Sequence, residues 1–183
     1  MVEGPEPARH PSPWVVRFAS HVPADGPVLD VACGGGRHTR FFLGRGHTVV
    51  AVDRDVTGVA DLRGEPRVEI VECDLEGDGP GSWPFAGSRF AGVVVTNYLH
   101  RPSLPDVVAA VAPGGVLIYE TFAAGHERFG RPHSPDFLLR SGELLDAVRE
   151  TLQVVAYEDV VINEPRPAAV QRIAAVHNRS SSG

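Results

Sequence analysis

Short runs of consecutive apolar residues, rich in valine and isoleucine, recur along the chain: "VLDVA", "VVAV", "VVVT" and "VLIY". Such runs predict strands buried on both faces of a sheet. Segments of mixed polarity between them read as short helices. "PSPWVVRFASHV" starts a helix near Ser12 or Pro13, with Trp14, Val15 and Phe18 on one face. "GRHTRFFLGRG" is a helix closed by Gly44 or Gly46, and "VTGVADLRG" is a second short one. "RVEIVECDL" adds a strand, "GDGPGSWPFAGSR" is a loop, and "LPDVVAAVAPGG" is a helix with a glycine stop. Residues 123–140 are irregular. "SGELLDAVRE" is a helix with Ser141 as its N-cap. "LQVVAYEDVVI" and "AAVQRIAAVHN", joined by the turn-like "NEPRP", predict an antiparallel hairpin at one sheet edge. Alternating strands and helices through residue 122 predict a parallel sheet covered on both faces.

Length fits this picture: 183 residues suit one domain, expected over 11–178, with a disordered lead-in over 1–10 and a tail over 179–183. The net charge of −6 argues against broad nucleic-acid or anionic-membrane binding. All 17 basic residues are arginine, so no Walker or Schiff-base lysine exists. Cys33 and Cys73 form no CxxC pair and read as free thiols of a reducing compartment. The N-terminus has no apolar signal region and no run is long enough to span a bilayer, so the expected location is the cytoplasm.

"LDVACGGGRHT" places Gly34, Gly35 and Gly36 after a strand that carries Asp30. Without lysine it is no Walker loop. The position three after Gly36 is Thr39, so it is no GxGxxG dinucleotide loop. Asp30 would repel a pyrophosphate and suits a ligand that carries positive charge.

These residues resemble the first motif of class I methyltransferases dependent on S-adenosylmethionine (SAM), roughly [DE]xGxGxG. Asp30, Gly34 and Gly36 match; Ala32 stands where glycine is usual, followed by Cys33. Further markers follow in order. "VVAVDRD" resembles the second-strand motif, with Asp53 23 positions after Asp30 and Arg54 beside it. "VECDLEG" resembles the third, "VVVTNYLHRP" occupies the fourth position, and "VAPGGVLIYETF" resembles the fifth. The resemblance implies a Rossmann-like α/β fold: a doubly wound, seven-stranded sheet, mostly parallel, with an antiparallel C-terminal strand. It implies SAM as cofactor and S-adenosylhomocysteine (SAH) as product. Asp53 would accept the ribose hydroxyls, Asp74 would meet the adenine amino group, Leu75 would pack near the ring, and Asn97 would lie by the methyl group. His38 could touch the methionine carboxylate. "YETFAAGHERFGRPHSPDFLLRSGELL" resembles a segment of small bacterial methyltransferases of the tellurite-resistance type, in which asparagine is more usual where this chain has His126.

Methyl transfer needs alignment and desolvation, plus a base if the nucleophile carries a proton. Tyr98, His100, Glu120 and His126 are the catalytic candidates. Arg101, Arg128 and Arg131 form a candidate fork for an anionic acceptor under a lid formed by 123–140. His100, His126 and His133 fit no metal-ligand spacing, so no metal is expected. A small-molecule acceptor is the leading expectation, with the protein a monomer or weak homodimer. The alternatives are an RNA methyltransferase, which "TNYL" echoes only through Asn97, and a SAM-binding sensor or partner subunit without catalysis.

Overall fold

The computed structural model describes residues 10–77 and 82–178. The expected tail over 179–183, most of the lead-in and part of the glycine- and proline-rich loop lie outside them.

Seven strands form one sheet in the order β3-β2-β1-β4-β5-β7-β6. They are β1 (Val28–Val31), β2 (Val49–Asp53), β3 (Val68–Glu72), β4 (Phe90–Thr96), β5 (Val111–Phe122), β6 (Gln153–Ile162) and β7 (Ala168–Val176). β1 to β5 pair in parallel, and β7 runs antiparallel between β5 and β6. The strand order reverses between β1 and β4, where parallel α/β sheets open a crevice for ligands.

Alternation along the strands separates two cores. On one face Val28, Val94, Val116 and Ile118 pack against Trp14, Val15 and Phe18 of α1 (Pro13–Phe18) and Phe42 and Leu43 of α2 (Arg37–Gly44). On the other, Leu29, Val93, Leu117, Tyr119 and Ile173 pack against Val107 and Val108 of α3 (Leu104–Ala109) and Leu144 and Val148 of α4 (Glu143–Val148). α1 starts where its sequence predicts, with the Ser12 hydroxyl accepting the N–H of Trp14 at 3.1 Å.

Three local expectations are corrected. Residues Thr57–Leu62 form a 3-10 turn rather than an α-helix. A Cβ at Gly58 would lie 2.7 Å from the Gly34 carbonyl oxygen, so this segment sits directly on the glycine loop. α3 ends at Ala109 rather than at the glycines, because Val111 already pairs with Phe90 in β5. Ser141 does not cap α4: Gly142 is the N-cap, and the Ser141 hydroxyl donates to Asp159 at 3.2 Å.

Candidate cofactor and acceptor site

At the C-terminal ends of β1 to β4 lies a cleft of about 380 Å³. It gathers Ala32, Asp53, Arg54, Asp74, Leu75, Asn97 and Tyr98, each singled out from the sequence, and adds Cys73, Glu76 and Phe137. Ala32 (φ 52°) and Asn97 (φ 55°) hold left-handed backbone at the ends of β1 and β4. That conformation costs a non-glycine residue about 1–2 kcal/mol, and here it is stored at the mouth of the cleft. Asp53 organises the glycine loop: one carboxylate oxygen accepts the N–H of Gly34 at 2.8 Å, the other that of Asp55 at 3.0 Å. Each oxygen keeps a lone pair for another donor. Asp74 accepts the N–H of Glu76 at 3.0 Å. The cleft thus sets Asp53, Asp74 and Glu76 against Arg54.

Other residues of the first motif turn inward. Asp30 is 2% exposed, and one of its oxygens accepts both the N–H and the hydroxyl of Thr39 (2.9 and 2.6 Å). It shares the face of Val28 and so meets α2, not the cleft. Burial pushes its pKa up to about 6 against the Thr39 hydrogen bonds. Cys33 is buried, and burial raises its thiol pKa, so it is an inert wall of the loop. Gly36 (φ 71°) opens α2, and a Cβ there would lie 2.4 Å from Val59 Cγ1. His38 is also buried, between the Ser12 N–H and Thr96. This position corrects the expectation of a cofactor contact: the ring faces α1.

The catalytic candidates do not converge. Tyr98 lines the cleft, but burial and then the Glu76 carboxylate push its pKa up to about 12, so the phenol stays protonated at neutral pH. Its hydroxyl is buried beside Ser103, without a hydrogen bond of normal geometry among the described residues. His100 closes a turn through Ser103 at 3.2 Å. Glu120 shares the face of Val116 and Ile118, accepts the Ser12 hydroxyl at 2.7 Å and pairs with Arg172 at 3.0 Å. The strand's alternation therefore points it away from a base's position. His126 is 4% exposed and stacked on Phe122 at 4.0 Å. Its Nε2 lies 3.0 Å from the Arg131 carbonyl, which fixes the proton there, and leaves Nδ1 buried without a partner among the described residues.

The arginine fork also separates. Arg101 donates to Glu143 (2.6 and 2.9 Å) and to the carbonyls of Pro135, Asp136 and Leu138. These bonds engage every N–H of the guanidinium, leaving none for an acceptor. Arg128 is exposed, donates to the Gly125 carbonyl at 3.1 Å and lies over Phe129. Arg131 is exposed. A second cavity of about 520 Å³, lined in part by Arg101, Glu127, His133 and Arg140, lies across the 135–137 turn from the cleft. Among the described residues no cluster of histidine, cysteine or carboxylate side chains could hold a metal, and no helix is long and apolar enough to cross a membrane. Reasoning from sequence missed Phe137 and the Arg101–Glu143 strap: neither sits in a motif, and long-range pairing has no local signature.

Comparison with known proteins agrees with this geometry. Residues 28–115 match the methyltransferase domain family. Over 119 residues, 58% of its length, the chain is 32% identical to a phenolphthiocerol/phthiocerol polyketide synthase protein of Mycobacterium tuberculosis, of which it spans 6%. The 1,6-didemethyltoxoflavin N1-methyltransferase of Burkholderia thailandensis, solved with 1,6-didemethyltoxoflavin and SAH, superposes with a TM-score of 0.66 at 23% identity, over 91% of this chain and 77% of that one. TehB of Haemophilus influenzae gives a TM-score of 0.66 at 16% identity, over 89% and 61%. A TehB-like SAM-dependent methyltransferase of Corynebacterium glutamicum gives 0.63 at 17%, over 90% and 87%. By its strand order and its cleft at the β1/β4 reversal, the chain has the fold of these solved methyltransferases, and its residues 28–115 are similar to the methyltransferase domain family.

Proposed function

We propose that the protein is a SAM-dependent methyltransferase acting on a small-molecule acceptor under the lid formed by 123–140. One observation carries the reading: the cleft at the strand reversal is acidic, with Asp53, Asp74 and Glu76 against Arg54. Such a site disfavours pyrophosphate and favours an adenosyl group bearing a sulfonium. Asp53 holds the ribose through lone pairs left after its bonds to Gly34 and Asp55. Asp74 and Leu75 bind the adenine. Asn97, which follows β4 and lines the cleft, lies by the methyl group.

Bound SAM supplies an electrophilic methyl group on a good leaving group. The chain's part is then orientation and exclusion of water. Among the described residues Glu120 and His126 turn away from the cleft and the Tyr98 phenol stays protonated, which suits an acceptor that is nucleophilic at neutral pH. An anionic acceptor would draw on Arg128 and Arg131, since Arg101 is committed to the lid. The B. thailandensis enzyme, solved with 1,6-didemethyltoxoflavin bound, supports a small-molecule acceptor.

Calorimetric titration with SAM, SAH and NAD tests the reading. The wild type should bind both adenosyl ligands and not NAD, and Asp53→Ala should lose both. Binding of NAD alone would refute it.

A further inference from the structure

Phe137 is 48% exposed, yet it lines the cofactor cleft together with Asp53, Asp74 and Leu75. It comes from the lid, whereas the rest of that wall comes from strand ends. Its backbone is held on both sides: Arg101 bonds the carbonyls of Pro135 and Asp136 before it (3.3 and 2.8 Å) and of Leu138 after it (2.8 Å). Glu143 forks the same guanidinium and also accepts the Arg140 N–H at 2.8 Å. Leu138 and Leu139 are buried behind it. Phe137 is therefore an exposed aromatic ring in the wall of the cleft, carried on a backbone that Arg101 holds on both sides. An exposed aromatic in a cleft is a surface for a flat apolar partner.

We propose that Phe137 covers the adenine of the bound cofactor, with Leu75 as a second apolar wall, and that Arg101 is the positioning residue that holds it there. This rests on the reading of the cleft as a SAM site. It makes the lid part of the cofactor site as well as the cover of the acceptor.

The test is calorimetry with SAH and with 5′-methylthioadenosine, which keeps the adenosine and lacks the amino-acid end. The proteins are the wild type, Phe137→Ala, Arg101→Lys and the double variant, with thermal melts to show that each is folded. Loss of one aromatic stack corresponds to about a 10- to 100-fold weakening. Phe137→Ala should weaken both ligands by the same factor, and Phe137→Trp should restore them. Arg101→Lys should weaken both by less. The double variant should bind no worse than Phe137→Ala, because Arg101 acts only through that ring. The inference is overturned alone if the wild type binds both ligands and Phe137→Ala binds them as tightly. It also falls if only SAH weakens, or if the two substitutions add. A wild type that binds neither ligand overturns the cofactor reading and this inference with it.

Discussion

The backbone N–H of Ser12 donates to Nε2 of His38 at 3.1 Å, tying α1 to the helix that follows the glycine loop. The Ser12 hydroxyl donates to Glu120 at 2.7 Å, so one residue links α1 to α2 and to the end of β5. The bond to His38 requires an unprotonated Nε2. Burial, and then the Arg37 charge, hold the pKa of His38 down to about 3.

That shift predicts acid sensitivity. In the unfolded chain His38 takes up its proton near pH 6.5; in the folded protein it does so only near 3. Stability from this group is therefore full above pH 6.5. It falls by roughly 1.4 kcal/mol per pH unit as the pH drops towards 3. In His38→Gln the side-chain oxygen accepts the Ser12 N–H without titrating. Urea unfolding between pH 7.5 and 4 should show this contribution removed, and an unchanged slope would refute the linkage.

Asp30 works in the opposite direction over part of the same range. Its folded pKa, raised to about 6, lies above the unfolded value, so the folded state holds the proton more tightly. Its contribution is best below pH 4 and declines as the pH rises to 6. At neutral pH the buried charge costs about 3 kcal/mol at most. Asp30→Asn keeps an acceptor for Thr39 and should raise stability at pH 7 by about 1–3 kcal/mol. It should also expose the steeper acid loss due to His38, which Asp30 offsets between pH 4 and 6. A destabilised Asp30→Asn protein would show that the carboxylate itself is needed for the turn into α2.

Two glycines of one helical segment should respond in opposite directions. At Gly36 the backbone is left-handed and a Cβ meets Val59 Cγ1 at 2.4 Å, so Gly36→Ala should cost about 2 kcal/mol or more and weaken SAH binding. At Gly44, in α2 itself, a Cβ meets nothing within 4 Å. Gly44→Ala should stabilise by about 0.5–1 kcal/mol and leave SAH binding alone. Melting temperatures with and without SAH check both.

What the sequence disclosed follows from the range of the interactions. The strands were legible because runs such as "VVVT" carry burial in their own composition, and the cleft residues other than Phe137 because they end or follow strands. The faces of single side chains were not. Glu120 pairs in register with Thr96, one residue before Asn97 of the cleft, and only alternation along β5, with Ile118 packed on the Trp14 side and Tyr119 on the other, turns it towards Arg172. Arg101 looked free because its partners, Glu143 and the 135–138 carbonyls, lie more than thirty residues away.

Gln171 shows the same limit, and its role can be tested. It is fully buried on β7. Its side-chain oxygen accepts the Leu144 N–H at 2.7 Å, and its nitrogen donates to the Arg140 carbonyl at 3.0 Å. A glutamine from the sheet thus supplies the α4 cap that Ser141 was expected to provide. Gln171→Leu keeps the bulk and removes these two bonds and a longer one to Asp159 at 3.3 Å, leaving the buried Leu144 N–H and the part-buried Arg140 carbonyl unpaired. Each orphaned group costs about 1–3 kcal/mol, so the loss should be about 2–4 kcal/mol in chemical denaturation. Because Arg140 and Glu143 flank the capped turn, amide exchange should quicken at Leu144 and also along 135–139, where the Arg101 strap is anchored. A variant within about 0.5 kcal/mol of wild type, with exchange unchanged at Leu144, would mean that α4 is held by its packing on Ile173 and not by its cap.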